Sequence, residues 1–347
     1  MQLSKEQHAL VPGALLNEKG ELNEAGYAKS LIREYDRKAI KAPALRIKEW
    51  DYYCITNDDY AVALTIDDNS YMGLDSISFM DLKSGTSITR SPMQLLTLGK
   101  KALPSSSDEG DIYSEGKGYF VSFVNKRSER TITAHMDDFS GKEAIDVDIA
   151  LYDFPSESMV IATPFAGAPK AFYYNQKINC MRAKGIVRIG GTEYDFDGND
   201  SFGVLDWGRG VWTYSNTWYW SSLSCAIDSI KFGFNLGYGF GDTSAASENM
   251  LFFDGKAHKL GKVVFDIPSM QGKDDFMSVW TIKDDEDRLE LKMEPILNRS
   301  SLTDFKFLKS DQNQVFGRFS GRAVLDDGTE VVIRGKTGFA EKVTNKW

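Results

Sequence analysis

The segment LDWGRGVW, at positions 205–212, places one acid, one arginine and two indoles close together. Asp206 and Arg209 can form a charge-assisted pair across a glycine bend. In an aromatic pocket, such a pair would tune the pKa of Asp206 for donating or accepting a proton. The alternative is structural: the pair fixes the chain where it crosses between two domains, and Trp207 and Trp212 fill hydrophobic cores. At the level of sequence both interpretations stay open.

The next segment, TYSNTWYW at 213–220, alternates aromatic residues as a strand does. Because side chains alternate along a strand, Trp218 and Trp220 should share one face and Tyr219 should lie on the other. A face with two indoles can line an apolar ligand cavity or serve as a platform for a sugar ring. It can equally fill the interior of a barrel.

A glycine-rich segment, GFNLGYGFGD, follows at 233–242. It lacks the GxGxxG spacing of a dinucleotide site, and no βαβ pattern surrounds it. Tyr238 and Asp242 are candidates for a proton relay near Asp206. The alternative is that the glycines only let the strand curve sharply.

Two further polar residues are candidates for ligand contact. Asn235 lies within the glycine-rich segment, and Glu248 opens the apolar strand that comes next. Both could line the mouth of a pocket, and the alternative role of Glu248 is to cap a loop.

The elements that must position these residues are strands. Short alternating or aromatic-rich runs recur along the chain and are separated by turn residues. Hairpin turns are predicted at 57–59, 190–191 and 326–328. One helical signal stands out, at 23–36, where Asn23 is a suitable N-cap.

Segments of the first half are matched, in the same order, by segments of the second half. YFVSFVNKRSERTITAHM is similar to FMSVWTIKDDEDRLELKM, and GIVRIGGTEYDFDG is similar to GRAVLDDGTEVVIRG. Each half then reaches an acid, Asp206 in the first and Glu341 in the second. Matches in register predict an internal duplication. We therefore expect an N-terminal arm at 1–42, a first β-barrel domain at 43–212 and a second at 213–347.

Each predicted domain has the length and strand content of a lipocalin-sized barrel, in which about eight strands leave room for one small ligand. The predicted fold class is all-β, with tandem lipocalin-like antiparallel β-barrels and a short N-terminal arm. A two-domain sandwich is the alternative. Two barrels would share a cleft, where an arginine among indoles could bind the anionic head of an apolar ligand. The residues expected to face this cleft are Trp207, Arg209, Trp218, Trp220 and Tyr238.

Five segments carry a resemblance to a known family: LLNEKGELNEAGY, DRKAIKAPALRIKEWDYY, DWGRGVWTYSNTWYW, GFNLGYGFGD and ENMLFFDGKAHKL. They resemble the bacterial proteins described as domain of unknown function 2804, over nearly the whole chain. That resemblance implies a calycin-like double barrel and implies no reaction. A more distant similarity is to the lipocalin-like carotenoid hydratases and tocopherol cyclases, tandem barrels that act on apolar substrates. Trp207 and Gly208 match the end of their His-x-Trp-Gly element, whereas Leu205 stands at the histidine position.

Composition narrows the range of partners. The net charge of −9 argues against nucleic acid and anionic membranes as main partners. Because the sequence shows no secretory signal and no membrane span, we expect a cytoplasmic protein without membrane insertion. Cys54, Cys180 and Cys225 are far apart, which is typical of buried thiols in a reducing compartment. The histidines are equally scattered, so we predict no metal site and no cofactor.

Three functions are compatible with these patterns. The first is a cofactor-independent enzyme of hydratase, isomerase or cyclase type, acting on an apolar or amphipathic small molecule, with Asp206, Tyr238 and Asp242 as catalytic residues. The second is a non-catalytic carrier of a hydrophobic ligand. The third is a carbohydrate-active protein with an indole platform and a carboxylate pair. The ligand-binding candidates are Trp207, Arg209, Trp212, Trp218, Trp220, Asn235 and Glu248.

Overall fold

The computed structural model describes residues 7–305 and 308–346. Residues 1–6 of the predicted arm and residues 306, 307 and 347 of the predicted second domain therefore lie outside the described residues. Within these ranges the chain consists of strands and two single-turn 3-10 helices, Arg37–Ala39 and Ala44–Arg46, with no α-helix. The prediction of an all-β protein is confirmed. None of the described helices is long and apolar enough to cross a membrane.

The strands up to residue 211 are β1 (Gly13–Ala14), β2 (Gly26–Ala28), β3 (Arg33–Glu34), β4 (Ile47–Thr56), β5 (Tyr60–Asp68), β6 (Met72–Asp81), β7 (Thr86–Arg90), β8 (Met93–Leu95), β9 (Ile112–Gly116), β10 (Tyr119–Lys126), β11 (Glu129–Ser140), β12 (Glu143–Tyr152), β13 (Met159–Phe165), β14 (Ala168–Ile189), β15 (Thr192–Phe196) and β16 (Phe202–Val211). All except β1 and β3 belong to one sheet of 14 strands. Its main path runs β7-β6-β5-β4-β16-β14-β12-β11-β10-β9, and β2, β8, β13 and β15 pair at its sides.

The remaining strands are β17 (Ser215–Ile227), β18 (Ile230–Tyr238), β19 (Met250–Phe253), β20 (Lys256–Lys259), β21 (Val263–Asp266), β22 (Ser269–Met270), β23 (Lys273–Asp274), β24 (Trp280–Asp284), β25 (Leu289–Phe305), β26 (Leu308–Val324) and β27 (Glu330–Lys346). Nine of them form a second sheet in the order β20-β19-β18-β17-β27-β26-β25-β24-β21. In both sheets an antiparallel meander ends with the last strand returning to pair with the first, β16 with β4 and β27 with β17. Within the described residues the outermost strands of each sheet do not pair with each other, so each barrel is incompletely closed. The division at 212 and 213 and the duplication stay predictions.

The central strands are buried on both faces because the two sheets pack back to back. All ten residues of β16 are buried. Leu205 and Trp207 point into the core of the first sheet, whereas Val204 belongs to an apolar cluster between the sheets. Trp220 and Phe339 of the second sheet belong to that same intermediate cluster. The space between the sheets is therefore enclosed by protein on two sides.

Each sheet also extends a hairpin over the other. At the β13–β14 hairpin, Pro164 accepts a hydrogen bond from the backbone N–H of Asp242 at 2.7 Å, and Phe165 contacts Phe240 with ring centres 5.2 Å apart. From the β25–β26 hairpin, Arg299 donates to Ser78 Oγ at 3.0 Å. These contacts hold the two sheets together on either side of the central space.

The predicted helix at 23–36 is wrong. The chain there forms β2, which pairs with β13 in the first sheet, and β3, which pairs with β1. Asn23 does not cap a helix and instead donates its side-chain amide to the carbonyl of Ala14 at 2.9 Å. A single short helix is marginal in water, and pairing with an existing sheet satisfies the same backbone groups.

Candidate active site between the two sheets

Alternation along β16 separates the residues of the LDWGRGVW segment. Asp206 and Arg209 are three positions apart, so in a regular strand their side chains project from opposite faces. β16 is regular here and pairs with β4 residue by residue from Phe202 to Val211. The predicted Asp206–Arg209 pair is therefore wrong, because no glycine bend brings the two charges together.

Trp207 and Arg209 lie inside the first sheet. The guanidinium of Arg209 donates to Asp51 Oδ1 at 3.0 Å and lies 4.3 Å from the centre of the Trp207 ring. Trp207 in turn packs edge-on against Tyr35 and Tyr174. Both side chains are fully buried. The expectation that they face the shared cleft is wrong, and their contacts favour the structural interpretation.

Asp206 points the other way, into the space between the sheets. Its Oδ2 forms an ion pair with the ammonium of Lys177 at 2.7 Å, and its Oδ1 accepts a hydrogen bond from Asn175 Nδ2 at 2.6 Å. The ammonium also lies 3.9 Å from the ring centre of Trp220, which belongs to the second sheet. The side chain of Lys177 is 3% exposed and that of Asp206 is 12% exposed. The lysine thus stabilises the negative charge of Asp206 in a site that water barely reaches.

Glu248 approaches the same space from the loop before β19. Asn235 Nδ2 donates to its Oε2 at 3.4 Å, and no described residue donates to its Oε1. Asn235 is itself fixed by Trp220, whose indole N–H donates to its Oδ1 at 2.7 Å. Burial raises the pKa of Glu248 above the usual value of about 4.5, although the charge of Lys177 opposes the rise. Glu248 therefore holds its proton at a higher pH than an exposed glutamate.

Glu341, on β27, is the third carboxyl group of the cluster. It accepts hydrogen bonds from Trp218 Nε1 at 2.9 Å and from Gln314 Nε2 at 3.0 Å, one at each oxygen. Burial raises its pKa, and the Trp218 hydrogen bond is the largest opposing influence. Because both oxygens have donors, Glu341 is held more firmly than Glu248.

Asp206 and Glu341 occupy matching positions in the two sheets. In the strand register Asp206 pairs with Lys177, and Glu341 pairs with Gln314. Lys177 reaches across to an indole of the second sheet, and Gln314 reaches across to the hydroxyl of Tyr52 on the first sheet at 3.3 Å. The residue that pairs with the carboxyl group in the strand register is therefore a cation, Lys177, in the first sheet and a neutral amide, Gln314, in the second.

Aromatic rings enclose one side of the carboxyl cluster. Trp50 stacks on Tyr173 with ring centres 6.1 Å apart and meets Trp212 edge-on at 5.2 Å. Trp212 in turn contacts Trp218 at 5.9 Å and Phe240 at 4.8 Å. Burial, followed by the charges of the three carboxyl groups, raises the pKa of Tyr173 well above its usual value of 10. The aromatic wall and the acids are therefore close neighbours between the two sheets.

Two glycines make room for this arrangement. A Cβ at Gly208 would overlap the indole of Trp50, and a Cβ at Gly237 would lie 2.6 Å from Cδ of Glu248. At both positions the absence of a side chain permits the close approach of another residue.

Tyr238 and Asp242 are not part of the site. Tyr238 pairs with Tyr219 in the strand register, and the two rings stack 4.5 Å apart, partly buried against the core of the second sheet. Asp242 is exposed, and the backbone N–H of Ser244 donates to its carboxylate at 3.0 Å, which lowers its pKa. The predicted relay from these two residues to Asp206 is wrong. Tyr238 lies on the same face of the sheet as Tyr219, whereas the site lies on the face that carries Trp220.

The structure thus unites part of the predicted site. The predicted residues that it brings together are Asp206, Trp212, Trp218, Trp220, Asn235 and Glu248. Sequence reasoning missed Lys177 and Asn175 as members of the site, and it considered Glu341 only as the counterpart of Asp206. The signal for the first two was present, because a polar run at 175–177 interrupts an otherwise apolar strand. The described residues contain no group of three or more His, Cys, Asp or Glu side chains placed to hold a metal ion.

The fold and this site define a class: an all-β protein of two back-to-back antiparallel sheets with ionisable and aromatic side chains between them. The chain belongs to the domain of unknown function 2804 family, whose profile matches residues 5–347. Among curated proteins the sequence finds no match.

Several solved structures are similar over almost the full length. Kievitone hydratase from Nectria haematococca shares 12% identity at a TM-score of 0.49, covering 97% of this chain and 98% of that chain. A Nitrosomonas europaea protein provisionally assigned as AttH shares 11% identity at 0.47, covering 91% and 97%. CghA with Sch210972 shares 10% identity at 0.45, covering 96% and 97%. At such values the similarity says nothing about substrate or reaction.

Proposed function

We propose that this protein is a cofactor-independent enzyme that moves protons on an apolar or amphipathic small molecule, as a hydratase, isomerase or cyclase does. The proposal rests on one observation. An ion-paired carboxylate, Asp206, and the buried carboxyl group of Glu248 lie close together beside an aromatic wall. Carboxyl groups whose surroundings favour different protonation states can supply an acid and a base in one site.

Glu248 is the proton donor in this proposal. Burial raises its pKa, so it holds its proton to a higher pH than an exposed glutamate does, and one of its oxygens has no donor among the described residues. A protonated carboxyl there can give its proton to a carbon of a substrate double bond. The cation that forms on the neighbouring carbon is stabilised by the faces of nearby aromatic rings.

Asp206 is the corresponding base. For hydration it accepts a proton from the water that attacks the cation, and for isomerisation or cyclisation it accepts a proton from an adjacent carbon. In each case the substrate gains one proton from Glu248, and Asp206 accepts one proton from the substrate or from the water. Transfer of that proton from Asp206 to Glu248 through solvent restores both groups. Asn175 Oδ1 is buried without a donor among the described residues, and it can accept a hydrogen bond from the attacking water or a substrate hydroxyl.

Solvent deuterium tests this function without knowledge of the substrate. The protein is incubated in D2O with a panel of unsaturated fatty acids and isoprenoid alcohols, and carbon-bound deuterium is measured by mass spectrometry. Glu248→Gln and Asp206→Asn should each reduce incorporation by about 100-fold or more. Asp242→Asn, at an exposed acid, is the matched control and should not reduce it. Absence of incorporation by the wild type, or equal rates in all variants, would contradict the proposal.

A carrier is the second candidate, favoured by a separate cavity of about 420 Å³ between the arm and the segment around residues 99–105. It is lined by apolar residues such as Leu103 and by ionisable ones such as Arg37 and Glu49, which suits an amphipathic ligand. Native mass spectrometry of freshly purified protein would show a stoichiometric adduct if the protein is a carrier. The carbohydrate-active alternative stays a prediction, with no observation in its favour.

The cellular setting is part of the proposal. We place the protein in the cytoplasm, because Cys54, Cys180 and Cys225 are all buried free thiols. Its partner is a small molecule and not nucleic acid, in keeping with the net charge of −9.

A further inference from the structure

The segment 93–98 has its apolar side chains outside and its polar side chains inside. The exposed members are Met93, Leu95, Leu96 and Leu98, with exposed fractions of 65%, 82%, 57% and 45%. Globular proteins normally place such residues in the core, and an exposed cluster of this kind marks an interaction surface.

Buried hydrogen bonds hold this inverted arrangement in place. Gln94 donates to Asp75 Oδ2 at 3.3 Å, and Thr97 donates to Asp68 Oδ1 at 2.7 Å. The ammonium of Lys101 lies 2.5 Å from the other oxygen of Asp75. Both aspartates are completely buried. Turning the segment over to bury its leucines would take the Gln94 and Thr97 donors away from two buried carboxylates, which is costly.

The backbone directs the same side chains outwards. Leu96, Leu98 and Ala102 have φ values of 55°, 51° and 52°, in the left-handed region that residues with a Cβ adopt at a cost. Strained backbone that persists in a well-anchored segment is characteristic of functional sites. The exposure of the leucines is therefore a built-in feature of the fold.

The local charge is positive although the chain as a whole is acidic. Residues 82–107 contain four basic residues and no acidic one, and Arg90 and Lys100 are exposed there. Glu115 is a neighbouring acid, and its carboxylate accepts a hydrogen bond from Tyr113 at 2.7 Å. Lys83 and Lys101 are paired with Asp59 and Asp75, which leaves Arg90 and Lys100 as the exposed basic side chains of this window that can meet an anionic partner.

We propose that segment 93–98 is a docking surface for an anionic lipid bilayer. The four apolar side chains insert among the lipid chains at the interface, and Arg90 and Lys100 contact the anionic head groups. The 420 Å³ cavity opens beside the segment, with Gly99 and Leu103 in its lining, so docking brings that cavity to the lipid surface. This proposal is independent of the reaction proposed for the inter-sheet site.

Co-sedimentation with vesicles tests the proposal. The full chain is mixed with vesicles of equimolar phosphatidylcholine and phosphatidylglycerol, or of phosphatidylcholine alone, and the bound fraction is measured. We expect binding to the anionic vesicles that weakens with salt. Leu95→Ser/Leu96→Ser should lower the partition coefficient about tenfold or more. Arg90→Glu/Lys100→Glu should lower binding to the anionic vesicles and not to the neutral ones.

Val264→Ser/Met270→Ser is the matched control, because these residues of the second half are 62% and 65% exposed. It should bind as the wild type does. The proposal is overturned if the wild type stays in the supernatant or if the leucine variant binds as well as the control. It is also overturned if the wild type is a dimer in solution that the leucine variant converts to a monomer, since a second copy would then occupy the surface.

Discussion

Replacement of Lys177 by methionine is the most informative perturbation of the inter-sheet site. The change keeps the length of the side chain and removes the ammonium that lies 2.7 Å from Asp206 Oδ2 and 3.9 Å from the Trp220 ring centre. Removing one partner of a buried ion pair typically costs about 3–5 kcal/mol, because the other charge stays buried without compensation. Asp206 keeps the hydrogen bond from Asn175 and slight exposure to water. We therefore expect a loss of about 3 kcal/mol in the free energy of unfolding, at the lower end of that range.

The assay is guanidinium chloride unfolding followed by circular dichroism. Lys170→Met is the matched control, because Lys170 lies on the same strand and is exposed. It should change the free energy of unfolding by less than about 0.5 kcal/mol. The double variant Lys177→Met/Asp206→Asn should recover part of the loss, since it removes both charges. If Lys177→Met costs less than about 1 kcal/mol, or if the double variant is no more stable than the single one, the two side chains do not form a buried ion pair in which each charge compensates the other.

Three further predictions concern neighbouring residues. Because the folded-state pKa of Glu248 is raised, the native state keeps this proton to a higher pH than the unfolded state does, so stability should fall as the pH rises above the unfolded value of about 4.5. Glu248→Gln should flatten this dependence of stability on pH, measured by thermal unfolding across pH. An unchanged slope would contradict the assignment. Gly208→Ala should destabilise the protein by about 1–3 kcal/mol and displace the Trp50 indole, measured by unfolding and by a change in tryptophan fluorescence. Arg209→Met should lower the free energy of unfolding by about 3–5 kcal/mol, because it leaves the carboxylate of Asp51 buried without its ion-pair partner. It should not reduce deuterium incorporation per folded molecule. A selective loss of incorporation would restore the catalytic interpretation of Arg209.

Local patterns predicted the strands and turns well. Hairpins occur at 57–59, 190–191 and 326–328 as expected, because turn residues between alternating runs act over a few positions of the chain. The shared face of Trp218 and Trp220 was also predictable from alternation. The same rule, applied to Asp206 and Arg209, would have placed them on opposite faces. A glycine bend was assumed instead, and the strand is regular there.

The members of the site that were missed depend on packing between distant strands. Lys177 meets Trp220 only because β14 packs against β17, a contact that no local pattern encodes. The glycines of the DWGRG segment were interpreted as a bend, whereas Gly208 accommodates an indole from β4. The helix at 23–36 failed because pairing of β2 with β13 overrode a weak local preference.

The most direct test of the central claim is the protonation state of Glu248. Selective 13C labelling of glutamate carboxyl groups, followed by NMR across pH, would give the titration of each residue, with Glu248→Gln identifying its resonance. Glu290→Gln identifies an exposed glutamate whose pKa is lowered by its hydrogen bond with Lys283. We expect the Glu248 resonance to titrate above the usual value of about 4.5 and that of Glu290 to titrate below it. A Glu248 resonance that titrates at or below the usual value would contradict the claim that this residue is the proton donor.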